Sequence, residues 1–205
     1  MKKAFTLVEL LIVITLISIL SVAVLATINP IEQTNKARDA QFKNDAAEIL
    51  SAYERFFASQ NKYPWNVNLS GTSYPEGTPV GLNATEPAFG VVGSAVGATD
   101  SPLFLTSELK SSFMGKVPFG ATVTQMDNMW TFSNGSDSNY VCYVPKAKVN
   151  RFATPNKLKC LTIGAAPALE SIGTGGCTAM VEADWAAATA AAPSATLANM
   201  MCVPE

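Results

Sequence analysis

One carboxylate, Glu9, lies at the start of a long apolar stretch. A charged side chain is unexpected at such a position, so Glu9 is the first residue whose chemistry needs an explanation. The 19 residues from Leu10 to Ile28 contain no ionisable group, and only serine and threonine interrupt their apolar side chains. A charge within a membrane helix costs about 2.5 to 3.5 kcal/mol even on insertion-based scales. Glu9 therefore either stays wet among the lipid headgroups or has a partner or a function.

Four cysteines form the second group of residues with chemical potential: Cys142, Cys160, Cys177 and Cys202. None belongs to a C-x-x-C pair, which disfavours zinc binding and thiol redox catalysis. In an exported domain such cysteines form disulfides, and four of them allow three pairings. Cys142 and Cys160 lie symmetrically about a loop near Arg151, so a hairpin would place them opposite each other. We therefore expect the disulfides Cys142–Cys160 and Cys177–Cys202, with free buried thiols as the alternative.

Residues that support catalysis are scarce in this chain. It has no histidine, which excludes histidine-activated nucleophiles and histidine metal ligands. No spacing among its 16 acidic residues selects a catalytic pair, and the glycines at 90–97 lack the Lys and Ser/Thr ending of a phosphate loop. We expect a protein that is not an enzyme and needs no cofactor. Calcium binding is the one alternative, because Asp137 lies among side-chain oxygens in the turn at 133–139 and hard cations prefer oxygen ligands.

The net charge of the chain is −2, from 14 basic and 16 acidic residues. An overall basic charge, which is typical of proteins that bind nucleic acids, is therefore absent. The apolar stretch is long enough to cross a bilayer as one helix. Lys2 and Lys3 precede it, so the positive-inside rule keeps the N-terminus in the cytoplasm and exports the rest.

A conventional secretory signal peptide is the rival interpretation of this N-terminus. Val24-Leu25-Ala26 could serve as its cleavage site, which would make Thr27 the first residue of the mature chain. The apolar region of such signals is typically about 7 to 15 residues long. The stretch in this chain is longer and has a charge at its start, which favours a retained membrane helix.

A second helix is predicted after Asn29-Pro30, where asparagine can cap a helix and proline suits its first turn. The alternative is that the proline bends one continuous helix. Apolar residues then recur at spacings of three and four as far as Phe57, and most charged residues fall on the opposite face. The N-K-Y-P sequence from Asn61 to Pro64 ends this amphipathic helix.

The composition changes beyond the second helix. Residues 66–102 are rich in Gly, Ser, Thr, Pro and Asn, which is typical of loops, and a short helix or turn is expected at Thr106–Met114. Four strand-like stretches follow, at Ala121–Gln125, Met129–Ser133, Tyr140–Val144 and Leu158–Ile163. They predict a three- or four-stranded antiparallel sheet.

The residues Ala4-Phe5-Thr6-Leu7-Val8-Glu9-Leu10-Leu11, behind a short basic leader, resemble the class III signal of type IV pilins and type II secretion pseudopilins. The resemblance implies that a membrane peptidase cuts between Ala4 and Phe5 and methylates the new amine of Phe5. It also implies that Glu9 pairs with the N-terminal amine of a neighbouring subunit, an attraction that is much stronger in lipid than in water. Two departures are Ala4, where the family usually has glycine, and a leader of only four residues.

The same resemblance implies an α+β fold, in which a long N-terminal helix forms a spine and a small antiparallel sheet packs on its second half. The expected organisation is a leader at 1–4, a transmembrane and assembly helix at 5–29, an amphipathic helix at 30–62, a variable loop region at 63–118 and a sheet with disulfides at 119–205.

The implied function is that of a structural subunit of a type IV pilus-like filament. Its partners would be copies of itself and other pilins, the prepilin peptidase and methyltransferase, the inner-membrane assembly platform and membrane lipid. It would be stored in the bacterial inner membrane with its N-terminus in the cytoplasm and would then enter a periplasmic or extracellular filament. Two alternatives stay open: a pseudopilin of a type II secretion system, and a membrane-anchored exported binding or adhesion domain that does not polymerise.

Overall fold

The computed structural model describes residues 5–27, 29–66, 80–81, 102–116, 129–133, 138–151, 157–162, 168–172, 177 and 196–204. Two long helices come first: α1 spans Leu7–Thr27 and α2 spans Pro30–Gln60. The segment Leu7–Leu25 of α1 is 19 residues long, apolar enough to cross a membrane, and not buried anywhere inside the protein. A helix that is apolar on all sides needs a cover of lipid or protein, so α1 fits a membrane anchor.

Helix α2 begins at a cap formed by Asn29. The Asn29 Oδ1 atom accepts a hydrogen bond from the backbone N–H of Glu32 at 3.2 Å, and Pro30 occupies the first helical position. Of the two interpretations of Asn29-Pro30, the separately capped helix is therefore confirmed. At the other end Asn61 has a positive φ of 53°, and its N–H donates to the carbonyl of Phe57 at 2.7 Å. Asparagine tolerates this left-handed cap, which ends the helix.

One face of α2 is buried, and its buried positions recur every three or four residues as predicted for an amphipathic helix. Three short segments pack on the C-terminal half of this face: a 3₁₀ turn at Pro64–Asn66, helix α3 at Pro102–Leu105 and a second 3₁₀ turn at Ser111–Gly115. Of these, the 3₁₀ turn at Ser111–Gly115 overlaps the helix or turn expected at Thr106–Met114, whereas α3 ends one residue before the expected range begins.

The strands are β1 (Val80–Gly81), β2 (Met129–Ser133), β3 (Asn139–Tyr143), β4 (Leu158–Thr162), β5 (Ala168–Ser171) and β6 (Thr196–Val203). They form one antiparallel sheet in the order β1-β2-β3-β6-β4-β5. The α+β fold class is therefore confirmed. The three predicted strands corresponding to β2, β3 and β4 agree with the structure to within one residue at each end, and the strand predicted at 121–125 lies outside the described residues.

The sheet has six strands in the described residues, whereas the sequence predicts three or four. The additional strands have weak sequence signals, because β1 has two residues and β6 follows an alanine-rich region. The C-terminal strand β6 lies in the middle of the sheet, paired with β3 on one side and β4 on the other. As a result β3 and β4 are not neighbours in the sheet, although β4 is the next strand after β3 along the chain.

The two faces of the sheet take alternate residues of each strand, as the period of two requires. Met129, Val141 and Tyr143 pack with α2 in the main core. Trp130 and Phe132 point to the opposite face and belong to a second buried cluster. Because both faces are buried, β2 is buried along its whole length and lacks the polar alternation of a half-exposed strand.

A buried carboxylate, Asp39 of α2, holds the segment that follows β3 against the spine. Asp39 is 1% exposed, and its two oxygens accept hydrogen bonds from the backbone N–H groups of Lys146 and Ala147, both at 2.9 Å. The Asn150 side chain of α4 (Lys148–Arg151) donates at 2.8 Å, and Arg38 completes the set at 3.1 Å. The four donors compensate the charge that burial would otherwise make costly.

Two further polar contacts connect α2 with other segments. Lys116 donates to the buried Asp45 and, at 3.1 Å, to Glu48. Partial burial acts to lower the pKa of Lys116, but the hydrogen bonds and negative charges of the two carboxylates outweigh it, so this pKa is raised. The Tyr53 hydroxyl lies 3.0 Å from Thr131 Oγ1 of β2, and burial raises the pKa of Tyr53 despite this hydrogen bond.

Candidate functional site

The candidate site lies at the start of α1, where Thr6 precedes the first helical residue. The Thr6 N–H and the Thr6 hydroxyl both donate to Glu9 Oε2, at 2.9 and 2.7 Å. In return the Glu9 N–H donates to Thr6 Oγ1 at 3.3 Å. These reciprocal bonds form a capping box, which satisfies two of the backbone donors that every helix start leaves unpaired.

The capping box determines what the Glu9 carboxylate can do. Both hydrogen bonds from Thr6 reach the same oxygen, Oε2, and among the described residues no donor reaches Oε1. A negative charge is also favoured here because the N-terminal end of a helix carries a partial positive charge. The arrangement can therefore hold a carboxylate at the edge of an apolar segment while one oxygen stays accessible to a cation.

The predicted processing residues lie directly before this site. Phe5 precedes Thr6, has no helical structure and is 80% exposed. Ala4 lies outside the described residues. The structure thus brings Phe5 and Glu9 to the same end of α1, whereas the cysteines belong to the sheet domain.

The predicted disulfide pairing is wrong. The structure joins Cys142 to Cys202 and Cys160 to Cys177, so neither Cys142–Cys160 nor Cys177–Cys202 exists, and no free cysteine is found among the described residues. The physical reason is the central position of β6, which separates β3 from β4 and abolishes the expected hairpin. Cys142 and Cys202 are instead direct cross-strand neighbours on β3 and β6.

The possible calcium site at Asp137 lies outside the described residues. Within the part of the chain that the structure describes, no group of three or more His, Cys, Asp or Glu side chains could hold a metal ion.

The structural roles of two residues, Thr6 and Asp39, are not among those predicted from the sequence. Thr6 could have been found, because Thr6-x-x-Glu9 before an apolar run has the spacing of a capping box. The role of Asp39 could not, because three of its four partners lie more than 100 positions away along the chain. Only tertiary folding brings them together.

The features above define an α+β protein with an exposed apolar N-terminal helix and a sheet packed on the helix that follows. Residues 1–25 match the family model described as the prokaryotic N-terminal methylation motif, which is the prepilin-type signal of type IV pilins and pseudopilins. The motif supports a type IV pilin-like or pseudopilin precursor and suggests a structural, non-enzymatic protein. Neither the curated proteins nor the solved structures contain a significant match to this chain.

Proposed function

We propose that this chain is a structural subunit of a type IV pilus-like filament that assembles through α1. The observation that carries the proposal is the methylation motif at residues 1–25, which overlaps an apolar helix that is exposed from Leu7 to Leu25. The precursor would be stored in the inner membrane, because lipid covers an apolar helix that the protein itself leaves uncovered. In the filament, the α1 helices of neighbouring subunits would cover one another.

Processing would remove residues 1–4 and make Phe5 the first residue, with an N-methylated amine. The exposure of Phe5 and its position outside the helix support access by a peptidase. Residues 5–29 would then form the membrane and assembly segment, 30–62 the second half of the spine, 63–118 a variable region and 119–205 the sheet region. Loss of Lys2 and Lys3 would change the net charge of the mature chain from −2 to about −4.

Glu9 would pair with the N-terminal amine of a neighbouring subunit in the filament. Two opposite unit charges 4 Å apart attract by about 1 kcal/mol in water and by several times more in a medium of lower dielectric constant. A subunit in the wrong axial position would leave both charges unpaired. Glu9 would therefore determine the register between subunits in addition to strengthening their contact.

The first test is mass spectrometry of the N-terminal peptide from native membranes. We expect a peptide that begins with N-methylated Phe5. A chain that begins at Thr27 would identify a conventionally secreted domain, and an intact Met1 would identify a simple membrane anchor. Either result would overturn the proposal.

The second test compares Glu9→Ala with Glu54→Ala, which removes an exposed carboxylate from the far half of the spine. Glu9→Ala should still be inserted and cleaved, but sheared filaments should be scarce, because the amine of each neighbour loses its partner. Glu54→Ala should give the wild-type yield. Equal yields from both variants would refute the register role of Glu9.

A type II secretion pseudopilin has the same N-terminal signal, so the motif does not distinguish it from a pilin. Shearing distinguishes them, because pilus-like filaments extend from the cell whereas a pseudopilin filament stays in the periplasm. A membrane-anchored domain that does not polymerise would give no ladder of oligomers after cross-linking through α1.

A further inference from the structure

Basic residues are concentrated in one part of the fold, although the chain as a whole is acidic. Residues 33–44 of α2 and the segment 145–151, which contains α4, carry six cations and a single acid, Asp39. Asp39 brings the two segments together, because it accepts hydrogen bonds from Lys146, Ala147 and Asn150. The six cations form the basic patch: Lys36, Arg38, Lys43, Lys146, Lys148 and Arg151.

Three lysines of the basic patch are exposed at the surface: Lys36, Lys43 and Lys148. Each lysine ammonium has three N–H donors, so a contact within the protein uses only part of its capacity to bind an anion. Beside Lys148, the apolar side chain of Val149 is 57% exposed. Apolar side chains next to cations are typical of segments that lie at a membrane surface.

The basic patch lies at the end of the sheet domain that is nearest to α1. Asp39 is the first buried residue of α2 in chain order, so the segment with α4 packs where the domain begins. Asp39 follows Pro30, the first residue of α2, by about 14 Å of helix. The Cβ atoms of a helix tilt toward its N-terminus, so Lys36 and Lys43 lean toward α1. With α1 in a bilayer, the patch faces the membrane surface.

Anionic lipid headgroups fit this patch better than a nucleic acid does. A headgroup phosphate is a small anion that a few lysines can contact, whereas a nucleic acid is a long polyanion, which the net negative charge of this chain repels. Basic residues beside a membrane helix attract anionic lipids over about a Debye length, roughly 8 Å at physiological salt. Val149 can insert among headgroups, but it gains nothing against a row of phosphates.

We propose that the basic patch binds the anionic headgroups of the membrane that holds α1, with Val149 inserted among them. This inference rests on the membrane-stored precursor of the proposed function. It goes further by giving the sheet domain a membrane contact of its own, which the methylation motif does not imply. The contact would hold the domain of the stored subunit against the bilayer.

The experiment reconstitutes the full-length chain into two kinds of vesicle, one of phosphatidylcholine alone and one of equal parts phosphatidylcholine and phosphatidylglycerol. A membrane-impermeant reagent acetylates the exposed lysines, and mass spectrometry measures the rate at each of them. The internal control is Lys62, an exposed lysine that follows the C-terminal end of α2. About 36 Å of helix separates Lys36 from that end.

We expect Lys36 and Lys148 to be acetylated about fivefold more slowly in the vesicles that contain phosphatidylglycerol, which corresponds to about 1 kcal/mol for each charge. The rate at Lys62 should change by less than about twofold, because this residue lies several Debye lengths from the surface. At about 1 M salt the Debye length falls to about 3 Å, so the protection of Lys148 should be lost.

Two matched variants test whether α4 itself makes the contact. Val149→Asp places a negative charge beside Lys148, whereas Leu105→Asp makes the same kind of change on α3, at an apolar residue that is 60% exposed. For each variant the compared quantity is the ratio of the acetylation rates in the two vesicles, so a direct effect of the new carboxylate on Lys148 cancels. Val149→Asp should abolish the protection of Lys148, and Leu105→Asp should leave it at the wild-type value.

The inference is overturned if Lys148 is acetylated equally fast in both vesicles, or if Lys62 is protected as strongly as Lys148. Protection in Val149→Asp that equals protection in Leu105→Asp would also overturn it. If short duplex DNA protects Lys148 and phosphatidylglycerol does not, the patch is a nucleic-acid surface instead. The proposed function is judged separately: a native chain that begins at Thr27 refutes the membrane-stored precursor, whereas loss of protection leaves that precursor and its filament intact.

Discussion

Replacing Asp39 with alanine tests how the sheet domain is attached to the spine. The substitution would leave the N–H groups of Lys146 and Ala147 and the Asn150 amide without their acceptor, and would remove the carboxylate that faces Arg38. Breaking a buried charged pair typically costs about 3 to 5 kcal/mol. Domains have about 5 to 15 kcal/mol of stability in total, so Asp39→Ala should be among the most damaging single changes in the chain.

The assay is equilibrium unfolding by urea of the oxidised full-length chain in detergent micelles, followed by tryptophan fluorescence. Trp65 and Trp130 are buried and report on the main core and on the far face of the sheet, respectively. The urea concentration at the unfolding midpoint should fall, while the dependence of the unfolding free energy on urea concentration should hardly change. This combination indicates a loss of stability without a change in the surface exposed on unfolding. Amide hydrogen exchange at Ala147 should increase more than exchange in the middle of α2.

Two controls make this result interpretable. Glu54→Ala removes an exposed carboxylate from the same helix and should change stability by no more than about 0.5 kcal/mol. Asp39→Asn keeps the shape and one acceptor oxygen, so it should cost less than Asp39→Ala and provides a readout if the alanine variant does not fold. The reasoning is refuted if Asp39→Ala unfolds within about 1 kcal/mol of wild type, since the loss of a single ordinary hydrogen bond would explain that value.

Three further predictions concern the other polar contacts and the disulfides. Lys116→Met should cost about 1 to 3 kcal/mol, because the buried Asp45 loses its cation. The raised pKa of Lys116 means that its contribution is complete below the unfolded pKa of about 10.4 and is lost as the pH rises through the folded value. The alkaline decline in urea stability should therefore be smaller in Lys116→Met than in wild type. Non-reducing peptide mapping should recover Cys142 linked to Cys202. Replacing both cysteines by alanine should lower the free energy of unfolding by about 4 kcal/mol, from the loop entropy of a separation of 60 residues. The same change at Cys160 and Cys177, which are separated by 17 residues, should lower it by about 3 kcal/mol. Tyr53→Phe should cost about 1 kcal/mol in thermal unfolding, since it removes one buried hydrogen bond at constant ring packing.

Each of these predictions has an outcome that contradicts it. If stability falls at alkaline pH as much in Lys116→Met as in wild type, the ion pairs of Lys116 do not contribute to stability. A peptide linking Cys142 to Cys160 would refute the strand order described above. A stability gain in Tyr53→Phe would indicate that the hydroxyl is poorly accommodated in the core.

The two long helices, α1 and α2, could be predicted from local sequence, because their determinants are close together along the chain. Asn29 and Pro30 start α2, and Asn61 ends it, each through contacts within four residues. The apolar composition of α1 similarly requires no knowledge of the rest of the fold. The capping box of Thr6 and Glu9 is equally local, and the T-x-x-E spacing would have identified it.

The sheet divides into a part that the sequence predicts and a part that it does not. Strands β2, β3 and β4 are recognisable by their β-branched, aromatic and apolar residues, whereas β6 follows an alanine-rich region and has weak strand signals. The pairing of the strands could not be predicted in the same way. Strands pair through backbone N–H and C=O groups, which are the same for every residue except proline and therefore do not specify a partner. The hairpin assumption for Cys142 and Cys160 failed for this reason.

By itself the sequence determined the features whose physics is local: an apolar helix with a carboxylate at its start, a capped amphipathic helix behind it, and the number of cysteines able to pair. Tertiary structure alone decided the central position of β6, the disulfide partners and the burial of Asp39 under donors from α4 and from the segment that precedes it. The physical reason is distance along the chain. A cap or an apolar face depends on residues one or two turns apart, whereas a strand partner is chosen by the burial of the whole sheet against α2.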